Sequence, residues 1–169
     1  KSLTTRHDLA IGIAGAIDAV LTESGVAAAD IAMASLSTTL ATNALVEGQG
    51  RRVALIAIGF SDSDLTRQGL AESLKGDPVL KLAGGHGHAG QEAAPLDMPG
   101  LKAGLAEIAG NVSAFAVASQ FATRNPAHEL RAAEIIRQVT GRPVSCSHHL
   151  SARLNGPKRA LTALLNARL

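Results

Sequence analysis

The apolar positions of this chain change period several times. Ile13, Ile17, Val20 and Leu21 recur at helical spacing, with Asp8 placed to cap the helix and Gly25 to end it. Ile31 to Leu36 reads as a short strand; Ser37-Thr38-Thr39 follows at once, and Leu40 to Glu47 reads as a helix stopped by Gly48. Val53 to Ile58 is an unbroken apolar run, the pattern of a strand covered on both faces. From residue 59 to 98, Gly, Asp, Ser and Pro interrupt every pattern, leaving one short helix after Asp64 and a short strand near Val79 to Leu82.

Regularity returns with Leu101, Leu105 and Ile108 on one helical face, then a second buried strand over Val112 to Ser119. Asn125-Pro126 opens the next helix, with Asn as N-cap and Pro in the first turn. Its apolar stripe is Ala132, Ile135, Ile136 and Val139, and Gly141 ends it. Pro143 to Ser147 is a third strand, and Leu161, Leu164 and Leu165 mark a last helix. Alternating helices and apolar strands predict an α/β fold: a largely parallel sheet with helices on both faces, in three layers.

Composition refines this picture. A length of 169 residues suits a single domain over 1–169, and 46% hydrophobic residues suffice for a core. Only 2% are aromatic, so Ala, Val, Leu and Ile must fill it, and layers of such small side chains approach closely. The net charge is +2 from 16 basic and 14 acidic residues, with no basic cluster interleaved with aromatics, which argues against nucleic-acid binding. The single cysteine, Cys146, excludes an intrachain disulfide and suits a reducing cytoplasm. No apolar run reaches the roughly 18–20 residues of a membrane helix, and no signal segment opens the chain. Lys1 at the start and a helical pattern still running at Leu169 suggest a fragment of a longer chain.

Several constellations are candidates for chemistry. Thr38, Thr39, Thr42 and Asn43 sit where a strand hands over to a helix, and ligands of parallel sheets gather at such carboxyl ends. Free N–H groups there suit phosphate or carboxylate, although helix capping favours the same residue types. Gly85-His86-Gly87-His88-Ala89-Gly90 spells G-x-G-x-x-G, but Pro95 arrives too soon for the long helix a dinucleotide site requires. His86 and His88 are candidate metal ligands with Glu92 or Asp97 as a third partner; a Gly-rich surface loop is the alternative.

His128-Glu129 begins like a zinc-protease motif, but Ala132 stands where the second histidine belongs, so the pair is expected to decorate the first turn of its helix. Arg124 just before it is either an anion contact or solvated. Cys146 and His148 follow a strand, as a nucleophile and base or as a buried thiol beside loop imidazoles. Lys158, Arg159 and Thr162 form either an anion-facing edge or an ordinary polar face.

Taken together, the blocks resemble one family. Thr38-Thr39-Leu40-Ala41-Thr42-Asn43-Ala44, then the strand 53–58 with Gly59-Phe60, is similar to the signature of the hydantoinase A/5-oxoprolinase N-terminal region. Arg124-Asn125-Pro126-Ala127-His128-Glu129 resembles its Asn-Pro-x-His-Glu block, and Ser147-His148 with Arg159, Thr162 and Asn166 resembles its ending. Ser37 stands where the family has glycine.

The resemblance implies a part of an actin-like ATPase/ribonuclease H-like enzyme. This part would lack the family's first phosphate-binding hairpin and the larger C-terminal portion of the same chain. It implies ATP-dependent opening of a cyclic amide such as a hydantoin or 5-oxoproline, with ATP and Mg2+ as cofactors of the full-length enzyme and none required by the fragment alone. Thr38, Thr39, Thr42, Asn43, Arg124 and His148 would be substrate- or phosphate-binding residues. A companion hydantoinase B-like subunit and homo-oligomerisation would follow. The alternative is a structural or docking lobe of an ATP-dependent ketone carboxylase subunit without direct substrate contact.

Overall fold

A computed structural model describes Thr5, residues 9–31 and residues 51–169. The predicted cap Asp8, the predicted strand beyond Ile31 and the predicted helix 40–47 lie outside these residues. The chain divides into two compact units, Lys1–Thr39 and Leu40–Leu169.

In the first unit, α1 runs Leu9–Ser24 and ends as predicted, with the Gly25 N–H donating to the Leu21 carbonyl at 3.0 Å. The Gly12 N–H, near its start, donates to Thr5 Oγ1 at 2.9 Å. Ile17 and Val20, on the predicted apolar face, are exposed.

The second unit is built on four parallel strands in the order β2-β1-β3-β4: β1 Val53–Ile58, β2 Val79–Leu82, β3 Ala114–Ser119 and β4 Val144–Cys146. All six residues of β1 and of β3 are buried, as the apolar runs predicted for central strands. Because strand side chains alternate between faces, β1 sends Ala54, Ile56 and Ile58 into one layer and Val53, Leu55 and Ala57 into the other. The first layer is covered by α4 (Met98–Ile108), through Leu101 and Leu105, and by α5 (Ala127–Thr140), through Ala132 and Ile136. The second is covered by α7 (Gly156–Ala167), whose Ala160, Ala163 and Leu164 lie against Ala114, Ala116 and Ala118 of β3. The fold is therefore the expected three-layer parallel α/β sandwich. Burial of each large aliphatic side chain in it contributes about 1.5–3 kcal/mol.

The boundaries shift where caps compete with pattern. Besides the short helix expected after Asp64, an earlier one contains it: α2 spans Asp62–Leu65, because Ser61 and Asp64 form a capping box in which each side chain takes the other's backbone N–H. The expected helix itself is α3, Leu70–Leu74. The strand expected from Val112 begins at Ala114, after a 3-10 turn over Ala109–Asn111. Asn125 does accept a helix-opening N–H, that of Ala127 at 3.1 Å, but Pro126 is still outside the helix proper. The third expected strand is shorter than predicted, because Ser147 already begins the four-residue α6, Ser147–Leu150.

One contact joins the carboxyl ends of β1 and β2. Gly59 and Gly84 both adopt positive φ, +76° and +137°. A Cβ on Gly59 would stand 2.6 Å from the Gly84 carbonyl oxygen. Glycine is required at residue 59 by conformation and by space together.

Candidate functional site

The carboxyl ends of the strands carry two polar clusters, and the first turn of α5 feeds both. Consecutive helix residues project about 100° apart, so His128 and Glu129 reach in different directions. Both are buried, at 8% and 0% relative exposure. They do lie in the first turn of α5, as expected, but they face inward beneath the loops rather than decorating its surface.

Glu129 is the centre of the first cluster. Its Oε1 accepts from the Ser119 N–H at 2.7 Å and from Ser147 Oγ at 2.6 Å; its Oε2 accepts from the His148 N–H at 3.1 Å and His148 Nδ1 at 2.6 Å. Four donors on two oxygens satisfy a buried carboxylate. Arg159, from α7, closes the cluster. Its Nε donates to Ser147 Oγ, one Nη to the Ser119 carbonyl at 2.7 Å, and the other to the Arg153 and Leu154 carbonyls at 2.9 Å each. Since Ser147 accepts from Arg159, its hydroxyl proton goes to Glu129. Burial draws the Arg159 guanidinium below its ordinary value, while Glu129 acts the other way. Of the predicted polar face, Lys158 and Thr162 are exposed, and only Arg159 turns inward.

His128 anchors the second cluster. Its Nδ1 accepts the Gly85 N–H at 2.9 Å, so its proton resides on Nε2, which donates to Glu92 Oε1 at 3.0 Å. The His86 ring lies 4.4 Å from it, centroid to centroid, and His86 Nδ1 is buried without a hydrogen-bond partner among the described residues. His88 is exposed, so the structure does not bring His86 and His88 together. Of their proposed third partners, Glu92 binds His128 and Asp97 caps α4 by accepting the Gly100 N–H.

Burial lowers the His86 imidazole, and neighbouring His128 lowers it further, while Glu92 opposes both. The unfolded chain therefore binds the extra proton more readily. The stability contributed by neutral His86 is complete above the ordinary value of 6.5, falls as pH drops through it, and is lost below the lowered value. We expect the urea midpoint to fall between pH 7.5 and 5.5, and His86→Gln to flatten that dependence. An unchanged slope would remove His86 from the account.

The remaining candidates are dispersed. Arg124 is exposed, beside Gly90. Thr38, Thr39, Thr42 and Asn43 lie outside the described residues. Phe121, just beyond β3, holds a left-handed φ of +52°, at a cost of about 1–2 kcal/mol for a bulky residue. Its carbonyl is held by the Arg124 and Asn125 N–H groups. No sequence pattern marked it.

Among the described residues, Glu129, Cys146 and His148 have ligand atoms within 4.8 Å of one another. They do not fit magnesium, which takes oxygen ligands in octahedral geometry, and both Glu129 oxygens are already occupied by donors. Burial pushes the Cys146 thiol up to about 11, with Glu129 adding to the effect. A neutral thiol at pH 7 is a poor nucleophile. Cys146 in the folded protein should therefore resist iodoacetamide at pH 7.5 for hours, and react within minutes in urea; equal rates would contradict this environment.

Comparison with known proteins gives consistent findings. The family described as the hydantoinase/oxoprolinase N-terminal region matches residues 1–140. The acetophenone carboxylase gamma subunit of Aromatoleum aromaticum is 28% identical over 201 residues, covering 100% of this chain and 28% of that protein. The crystal structure of the ATP-dependent caprolactamase from Pseudomonas jessenii superposes with a TM-score of 0.73 at 24% identity, over 100% of this chain and 28% of that one. A nucleotide-free acetone carboxylase, from work on ATP-dependent acetone carboxylation, also gives 0.73, at 17% identity over 98% of this chain and 28% of that one. The chain thus spans a little over a quarter of the length of these relatives, and the two structures share its fold. No helix among the described residues is long and apolar enough to cross a membrane.

Proposed function

Because the chain belongs to the hydantoinase/oxoprolinase N-terminal region family, we propose that it is the N-terminal part of an ATP-dependent enzyme that opens cyclic amides of the hydantoin or 5-oxoproline type. The observation that carries this reading is the carboxyl edge of the sheet, where a wholly buried carboxylate, Glu129, holds His148 beside Ser119 and Ser147. Polar groups gathered at the strand ends of a parallel sheet are placed for a small polar substrate. The similarity to a caprolactamase, whose name denotes a cyclic amide substrate, supports the same class. Thr38, Thr39, Thr42, Asn43 and Arg124 would add contacts to substrate or phosphate. ATP and Mg2+ would serve the full-length enzyme, its C-terminal portion and a companion subunit completing the site. The Glu129 cluster, whose two carboxylate oxygens already accept four hydrogen bonds, does not suit the metal.

A second reading is favoured by the 28% identity to a carboxylase subunit: a lobe of an ATP-dependent ketone carboxylase, without direct contact to substrate. One screen separates them. The full-length protein, with and without its companion subunit, is supplied with cyclic amides or with ketones plus bicarbonate, and ATP consumption is followed. Amide-dependent consumption with ring-opened product supports the first reading. Ketone- and bicarbonate-dependent consumption replaces it with the second.

A further inference from the structure

Three histidines are buried or half-buried at the carboxyl edge, and they differ in what their nitrogens are free to do. His128 has both nitrogens engaged, by the Gly85 N–H and by Glu92. The unpartnered Nδ1 of His86 is sealed from solvent. His148 alone among these three is held at one nitrogen and open at the other. Its Nδ1 and its own backbone N–H both bind Glu129 Oε2, at 2.6 and 3.1 Å, fixing ring and backbone to one atom. A carboxylate that already accepts three other hydrogen bonds takes the ring's proton on Nδ1, which leaves a lone pair on Nε2. That Nε2 has no hydrogen-bond partner among the described residues, and the side chain is 12% exposed. The His149 ring packs 4.0 Å away at a 53° tilt.

Burial of a charged carboxylate costs several kcal/mol. Besides satisfying the donors around it, Glu129 fixes the His148 ring in one orientation and one tautomer. We infer that His148 is a catalytic proton acceptor and donor at the carboxyl edge of the sheet, and that Glu129 is its positioning residue. The inference rests on the cyclic-amide reading above. As water adds to the amide carbon, the new O–C bond forms and one water proton passes to Nε2. When the C–N bond breaks, the imidazolium returns that proton to the departing nitrogen, so acid and amine are formed and His148 is regenerated. The ionisable groups around the ring are Glu129 from α5, Cys146 from β4, Arg159 from α7 and His149 beside it.

The test uses the full-length protein with its companion subunit. Histidine labelled with 15N in the ring, assigned by its loss in His148→Gln, reports the tautomer by long-range 1H–15N correlation. Protonated Nδ1 and bare Nε2 are expected; a proton on Nε2 overturns the positioning. In Glu129→Gln the charge is lost and one of the two oxygens becomes an NH2, so the preference for the proton on Nδ1 should weaken. For turnover of the best cyclic amide, His148→Gln should lower kcat by about 10²–10⁴-fold with KM within about threefold. It should also lose the acid limb of the pH–rate profile and regain activity with added imidazole. His148 lies on a short, partly exposed helix, so this variant stays informative should Glu129→Gln fail to fold. Turnover of His148→Gln within threefold of wild type, or no response to imidazole, overturns the catalytic role. If the wild type consumes ATP with no amide, the functional reading falls and this role with it, while the tautomer still reports on Glu129.

Discussion

Glu129→Leu should lower the free energy of unfolding by about 3–5 kcal/mol, among the largest effects of any single substitution in the chain. The carboxylate accepts the Ser119 and His148 N–H groups, the Ser147 hydroxyl and His148 Nδ1, all in a region without solvent at the carboxylate itself. Leucine leaves those donors unpaired, and leaves the Arg159 guanidinium buried with no anion near. The measurement is the urea transition of wild type and variant at pH 7.5. The double variant Glu129→Leu/Arg159→Met should recover a large part of the loss, because a missing pair costs less than a broken one. A single-variant loss below about 1 kcal/mol would mean that the cluster is not the buried, interdependent unit described above.

Gly59→Ala should cost about 2–3 kcal/mol, seen as a fall in Tm of roughly 4–10 °C. Two penalties coincide. The backbone at residue 59 has φ +76°, and the added methyl would meet the Gly84 carbonyl oxygen at 2.6 Å, a backbone atom that moves only if its loop moves. That loop continues into Gly85, whose N–H holds His128, so the damage should spread to the second cluster. Gly76→Ala is the control: its φ is also positive, but nothing lies within 4 Å of its Cβ position, so it should show the conformational penalty alone. Equal losses for both would remove the close approach of β1 and β2 ends from the explanation.

These effects fall on residues whose importance was unevenly legible. The strand Val53–Ile58 and the strand Val79–Leu82 were read with their observed bounds: the first is an unbroken apolar run between Arg52 and Gly59, and the second follows Asp77-Pro78 with an exposed Lys81 between apolar neighbours. The small-residue core also followed from composition: the alanines of β3 against Ala160 and Ala163 are the close approach that so few aromatics required. A short helix, Leu70–Leu74, does follow Asp64, but the helix that contains Asp64 was missed, because capping depends on which side chain turns back to the backbone. The family block picked out Arg159, but by charge and helical position alone it was not separable from Lys158, as both are cations in the first turn of an amphipathic helix. Only helix rotation against the sheet buries one and exposes the other.

What the sequence determined by itself was local: periodicity selects helix or strand, unbroken apolar runs select central parallel strands, and ordered short blocks select the family. The tertiary structure alone decided that Ser119, Glu129, Ser147, His148 and Arg159 meet. Their separations reach 40 residues along the chain, and each residue type is ordinarily solvated where it stands. A buried carboxylate is recognised only by its donors, and those are brought to it by strand order and helix packing, which no local pattern contains.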